Sequence, residues 1–352
     1  MTTARPIGRW GSRAGMRHFA YLNARVQAMR GRLLPKETYA KLLQMEIPQI
    51  ARFLGETEYK AEIEQLGKRY RGVDLVEYAL NMNLAKTMHG LIGKAQFELR
   101  ELLELYLRRY DQENITTILR GKLSGVPPQE VREALIPAGS LKLEQLHALI
   151  DASYDDTLEM LRRMGRGYIV DLLTERPLPE VEDEMRRQYF RELLEATAGG
   201  GRSNEQLRRF VRTEIDFRNL NNLLRLKRDG ESPERIMAYM IDDGLFLSAK
   251  HLRSIAAMEL PEIVRELGKL LYFRATVDAL ESASDSLVAF EAALTREELR
   301  HTSKEARTNP LSILVALSYI LAKQVEVYNV RNIVRGKEGG IPLELIRRQL
   351  VI

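Results

Sequence analysis

Five histidines (His18, His89, His147, His251, His301) stand singly along the chain, with no His-x-x-x-His pair and no H-E-x-x-H run of the kind that holds zinc. Cysteine is absent from the 352 residues, which removes thiolate catalysis, disulfides and thiolate-bound metal together and fits a reducing compartment. Gly199, Gly200 and Gly201 are followed by no Gly-Lys-Ser/Thr, and Gly90 to Lys94 has the wrong spacing and runs on into Ala95, so neither forms a phosphate-binding loop. Carboxylates are plentiful, as on any helical surface, and no spacing sets two of them across a cleft for acid–base work. The expectation is a chain with no catalytic residue, no metal, no cofactor and no small-molecule substrate.

One set of polar residues is nevertheless kept three times. Around Asn114, Asn219 and Asn329 an acid stands three before (Asp111, Asp216, Glu326), an arginine six after (Arg120, Arg225, Arg335) and a lysine eight after (Lys122, Lys227, Lys337). A glycine closes each copy at eleven after (Gly125, Gly230, Gly340), and the asparagines are 105 and 110 residues apart. A second landmark, Glu77, Glu182 and Glu291, precedes its asparagine by 37, 37 and 38 residues, so the repeat extends well beyond the motif. A degenerate fourth copy near the start places Arg30-Gly31-Arg32 at the Arg-x-Lys positions, with Ala24 where the asparagine would be.

Apolar residues fall one, four and five after each asparagine, which is helical spacing, and the terminal glycine suits the left-handed residue that ends a helix. Arginine and lysine in the last turn suit the negative end of the helix dipole. At about 100° per residue the acid shares the side of the apolar stripe, whereas the arginine points nearly opposite. An acid on a buried side needs a partner, and the lysine of its own motif is about 16 Å further along the helix. Two readings follow: the acid pairs with basic or backbone donors of an adjacent helix and fixes repeat against repeat, or the helix breaks near the asparagine and the acid or asparagine caps a new one. For the arginines the readings are a solvated helix end or contact with a partner docked between three equivalent charges.

The elements that must position these residues are helical throughout. Apolar residues recur three and four apart, alternating runs are scarce, and breaks fall at proline and glycine, as at Pro127-Pro128, Gly199 to Gly201 and Gly339-Gly340. The fold class is therefore all-α. The longest apolar stretch, Leu311 to Ala322, is short of the ~20 residues a membrane span requires. The net charge of +5 is concentrated at one end, where eight basic residues (Arg5, Arg9, Arg13, Arg17, Arg25, Arg30, Arg32, Lys36) precede the first acid, Glu37. The body is mildly acidic without them, which argues against a nucleic-acid platform. The organisation read from these marks is a basic arm over 1–18, repeats over 19–112 and 113–218, and a third repeat with a C-terminal half-repeat over 219–352. Three units and a half-unit suggest that the two ends of the chain meet.

The words Tyr21 to Leu34 (YLNARVQAMRGRLL), Asn114 to Lys122 (NITTILRGK), Leu135 to Leu141 (LIPAGSL) and Tyr328 to Lys337 (YNVRNIVRGK) together resemble the C subunit of archaeal and bacterial A/V-type ATP synthases, related to the d subunit of vacuolar ATPases. The resemblance covers Phe19 to the end. It implies three sequence-related helical bundles arranged as a pseudo-threefold funnel. It also implies a non-catalytic place in the rotor, at the cytoplasmic face of the membrane, where the subunit links the proteolipid ring to the central stalk and transmits rotation. The family has no catalytic residues to carry over, and the candidate partner contacts are Arg30, Arg120, Arg225 and Arg335; the alternative reading is a generic helical-repeat scaffold of another complex.

Overall fold

The computed structural model describes residues 13–270, 273, 274, 277 and 287–352; Arg5, Arg9 and the rest of the basic arm before Arg13 lie outside them. Among the described residues the chain is helical and contains no strand, so the all-α reading holds. Contacts divide it into two compact units, one built from the residues up to Arg32 with Met45–Ala196, the other from Leu33–Gln44 with Thr197–Ile352. The chain thus lends a short N-terminal segment to the second unit before returning to the first.

The first unit contains α1 (Arg13–Arg30), α3 (Ile47–Leu54), α4 (Lys60–Leu66), α5 (Gly72–Ile92), α6 (Phe97–Leu107), α7 (Arg109–Leu123), α8 (Pro128–Ala134), α9 (Leu143–Asp151), α10 (Tyr154–Leu161), α11 (Gly167–Glu175) and α12 (Leu178–Ala196). Its helix starts follow the local chemistry: Pro48 and Pro128 fill first-turn positions, where no N–H is needed, and the Ser153 hydroxyl accepts from the Asp156 amide. Between α10 and α11 a π turn at Arg162–Arg166 holds Gly165 at φ 74°, a kink that the sequence pattern does not announce. The stripe of α7, Ile115, Ile118 and Leu119, is buried in a core with Val131, Leu146 and Ile169.

The second unit contains α2 (Lys36–Gln44), α13 (Arg202–Arg228), α14 (Pro233–Ala238), α15 (Ala249–Ala256), α16 (Leu260–Lys269), α17 (Leu287–Thr308), α18 (Leu314–Glu338) and α19 (Leu343–Gln349). Its longest helix, α13, runs for about 40 Å at 1.5 Å per residue. The matching stripe, Leu220, Leu223 and Leu224, is buried with Ile236, Leu252, Ile263 and Phe273. The third stripe, Val330, Ile333 and Val334, is buried on α18. Among the described residues no helix is long and apolar enough to cross a membrane.

Candidate functional site

The motifs end α7, α13 and α18, with α7 starting only at Arg109 so that Asp111 lies in its first turn, and each asparagine is buried. The Asn114 side chain donates to the Ile136 carbonyl and accepts from the Ile136 N–H, both at 2.8 Å. Asn219 does the same with Ile241 at 2.7 and 2.8 Å, and Asn329 with Val351 at 2.8 Å each way. In every case the partner is 22 residues downstream. A carboxamide is the short side chain that offers a donor and an acceptor side by side, as a peptide group does, so it satisfies both polar groups of a buried backbone residue at once.

The acids sit one turn earlier, and the first two hold the chain slightly further on. Asp111 accepts from the Leu141 N–H at 2.9 Å and from the Ser140 hydroxyl, with the Arg166 guanidinium at 3.3 Å. Asp216 accepts from three successive amides, Leu245 at 2.9 Å, Phe246 at 2.7 Å and Leu247 at 3.0 Å. Glu326 accepts from the Leu34 N–H and from Lys323 Nζ, the latter at 2.7 Å. Of the two readings left open by the sequence, the buried acid with backbone donors is the one observed. The backbone donors, however, belong to a segment that leads into a helix (α9, α15 or α2), where the amides have no helical carbonyl to pair with. Each acid also has a cation near it from a different source: Arg166 at the π turn, Arg212 one turn earlier on α13, and Lys323 on α18.

Burial pushes the Asp216 carboxyl up to about 6, with the three amides and Arg212 pulling the other way. Since the folded value lies above the unfolded value of 3.8, the native state holds a proton that the unfolded state has lost between those two pH values. Stability contributed by this group is therefore greatest in acid and falls as pH rises from about 4 to about 6. We expect Asp216→Asn to abolish that slope, so that the stability of the natural chain relative to the variant drops by about 3 kcal/mol across the window. Parallel denaturation series from pH 4 to 7 check it; a difference that does not change with pH, or grows as pH rises, overturns it.

The first two lysines grip the far end of the helix that the acid-bound segment enters. Lys122 Nζ, its pKa lowered by burial, donates to the Ile150 carbonyl at 2.9 Å and to that of Ala152, at the end of α9. Lys227 Nζ donates to the Ala256 carbonyl at 3.3 Å, at the end of α15. One motif thus places an acid at the entry of the next helix and a lysine at its exit, matching the positive and negative ends of the helix dipole. Lys337 makes no such bond among the described residues. The glycines close the motif helices as expected: Gly125, Gly230 and Gly340 have φ of 66°, 78° and 64°. Past each, an amide reaches back five residues, Val126 to Gly121, Glu231 to Leu226 and Ile341 to Gly336, at 2.9, 3.0 and 2.8 Å. Gly340→Ala, with open space for its Cβ, should cost about 1 kcal/mol from the left-handed backbone alone, measurable as a lowered melting temperature; a neutral result overturns the assignment.

The arginines point away from the core, as their angular position predicts. Arg120 forms a two-bond pair with Glu182 on α12, Nε to Oε1 at 2.6 Å and Nη2 to Oε2, while 63% of its side chain stays exposed. Arg225 lies 4.0 Å from Glu291 on α17 and is 64% exposed. Those glutamates are the second landmark of the repeat, each taken from the copy after the arginine's own, so the fixed distance to their own asparagines did not announce these pairs. Arg335 is exposed at the same turn of α18. Arg30 ends α1 half-buried, and Ala24, aligned with the asparagines, is exposed and clamps nothing. Sequence reasoning missed the receiving residues: Ile136, Ile241 and Val351, and Gly139 and Gly244, each 28 after its acid. Their constant offsets were legible, but their roles depend on where the chain returns.

An all-helical protein whose repeats are pinned by buried side-chain clamps is the class that this geometry defines. Residues 22–349 match the model of the ATP synthase (C/AC39) subunit family. The C subunit of the A-type ATP synthase of Methanococcoides burtonii is 37% identical over 340 residues, covering 95% of this chain and 94% of its own. Its counterpart from Methanosarcina mazei is 38% identical over 342 residues (96% and 94%), and that from Archaeoglobus fulgidus 35% over 344 (97% and 98%). The chain belongs to the ATP synthase (C/AC39) subunit family.

Proposed function

We propose that the chain is a non-catalytic rotor subunit of an A-type ATP synthase, seated at the cytoplasmic face of the membrane between the proteolipid ring and the central stalk. It transmits rotation during ion-driven ATP synthesis or ATP-driven ion pumping. The observation that carries this reading is the match, over nearly the whole of both chains, to relatives named as the C subunit of the A-type ATP synthase. Buried clamps that fix each motif helix to the segment after it favour a stiff body, as a coupler of rotation requires. The arginines Arg30, Arg120, Arg225 and Arg335 are the proposed contacts with those partners.

The test is reconstitution. Membranes carrying the enzyme stripped of this subunit should regain ion-driven ATP synthesis when the full chain is added, and ring and stalk subunits should be retained on it at moderate salt. A folded, helical chain that binds neither and restores nothing overturns the proposal. Arg225→Glu, at the long pair with Glu291, should lower retention several-fold at low salt while leaving the helical signal unchanged; full retention removes that arginine from the contact set.

A further inference from the structure

In the first two repeats the chain downstream supplies everything the motif helix holds. The asparagine clamps the residue 22 positions on, the acid takes an amide 30 or 31 positions on (Leu141, Leu247), and the next helix, α9 or α15, begins two residues later. In the third repeat the asparagine still clamps the residue 22 on, Val351, but the acid takes its amide from Leu34, 292 positions back. Leu34 stands two residues before α2, as Leu141 and Leu247 stand before α9 and α15. Helix α2 then lies along α18 with Thr38, Tyr39, Leu42 and Leu43 buried.

We propose that the groove on α18, formed by Lys323, Glu326, Asn329 and Val351, is a binding site for the segment Leu33–Gln44 as such. The segment is an exchangeable strap that stands at α18 as α9 and α15 stand at the first two motif helices. It is recognised by one amide offered to a buried acid and by an apolar helical face, features that do not depend on how its ends are connected. Its exit lacks the latch that secures its counterparts: Lys122 and Lys227 hold the ends of α9 and α15, whereas among the described residues Lys337 makes no matching bond at the end of α2. The register also fits. A second Gly31–Gln44 joined directly to Ile352 would bring its copy of Leu34 five residues beyond Val351, the interval that separates Ile136 from Leu141.

The experiment is carried out on the full chain with that second copy appended, marked by Lys41→Arg at an exposed position so that the two copies differ in mass. Hydrogen exchange of both copies is followed by mass spectrometry. The appended copy should become protected while exchange in the natural segment accelerates about tenfold or more, because the copy is delivered to the groove by a short continuous chain; partial protection of both also supports exchange between them. In a second pair of chains, Tyr39→Ala in the natural segment should lower the melting temperature of the unextended protein, and the appended copy should restore it. A copy that exchanges as a free tail beside an unchanged natural segment, with no recovery of the Tyr39→Ala chain, overturns the proposal. The proposal does not rest on the rotor reading, and this outcome would leave that reading intact.

Discussion

Asn219→Ala should destabilise the second unit by about 3 to 5 kcal/mol, because it strands both the N–H and the C=O of Ile241, and an unpaired buried polar group costs about 1–3 kcal/mol. Loss of side-chain bulk adds to this, since Asn219 is fully buried. Asn219→Asp tests which half of the clamp matters. It keeps an acceptor for the Ile241 amide but sets a carboxylate oxygen against a carbonyl 2.7 Å away, so it too should destabilise. Asn222→Ala, one turn on and only half-buried, is the control and should cost less than about 1 kcal/mol. Exchange of the Ile241 amide and denaturant unfolding read the result. An Asn219→Ala chain as stable as the control would reduce the thrice-kept asparagine to a packing residue.

Gly244→Ala should be at least as damaging, for a steric reason that the hydrogen bonds enforce. A Cβ at Gly244 would lie 2.1 Å from Asp216 Oδ1 and 3.0 Å from the Leu247 carbonyl oxygen, and the carboxylate cannot withdraw while three amides hold it. Either the segment lifts and those bonds break or the helix face shifts, at a cost of about 3 kcal/mol or more. Gly139 repeats the arrangement in the first unit, its Cβ position also 2.1 Å from Asp111 Oδ1, so the two substitutions should behave alike. The decisive measurement is a double-mutant cycle. Asp216→Ala makes room for the methyl group, so Gly244→Ala in that background should cost less by about 1 kcal/mol or more. Strict additivity would show that the close approach is not what the glycine serves.

Asn219 and Gly244 both serve to hold backbone in place, and that bears on the rotor proposal. A part that carries torque needs its elements to move together, and a side chain bonded to backbone 22 or 30 residues away ties helix to connection more tightly than apolar contact, which tolerates sliding. On α18 the acid holds a segment from elsewhere in the chain, so under the strap proposal that bond opens without breaking the Asn329–Val351 clamp of its own repeat.

The sequence by itself determined the helical class, the three motifs, the glycines that end their helices and the outward aim of the arginines, because these properties live within a few residues of one another. Period and end chemistry are written in adjacent positions, so one stretch of chain reports which side is buried and where the helix stops. The family was legible for the same reason, as short words in a fixed order. Tertiary structure alone decided what each polar side chain holds. Asp111 meets Arg166 only because a π turn at Gly165 redirects the chain, and Arg120 meets Glu182 only because α12 returns to α7. Glu326 meets Leu34 across 292 positions, and no local pattern carries that pairing. A hydrogen bond joins whatever the path of the chain brings together, and that path is fixed by the packing of whole elements rather than by the residues that finally touch.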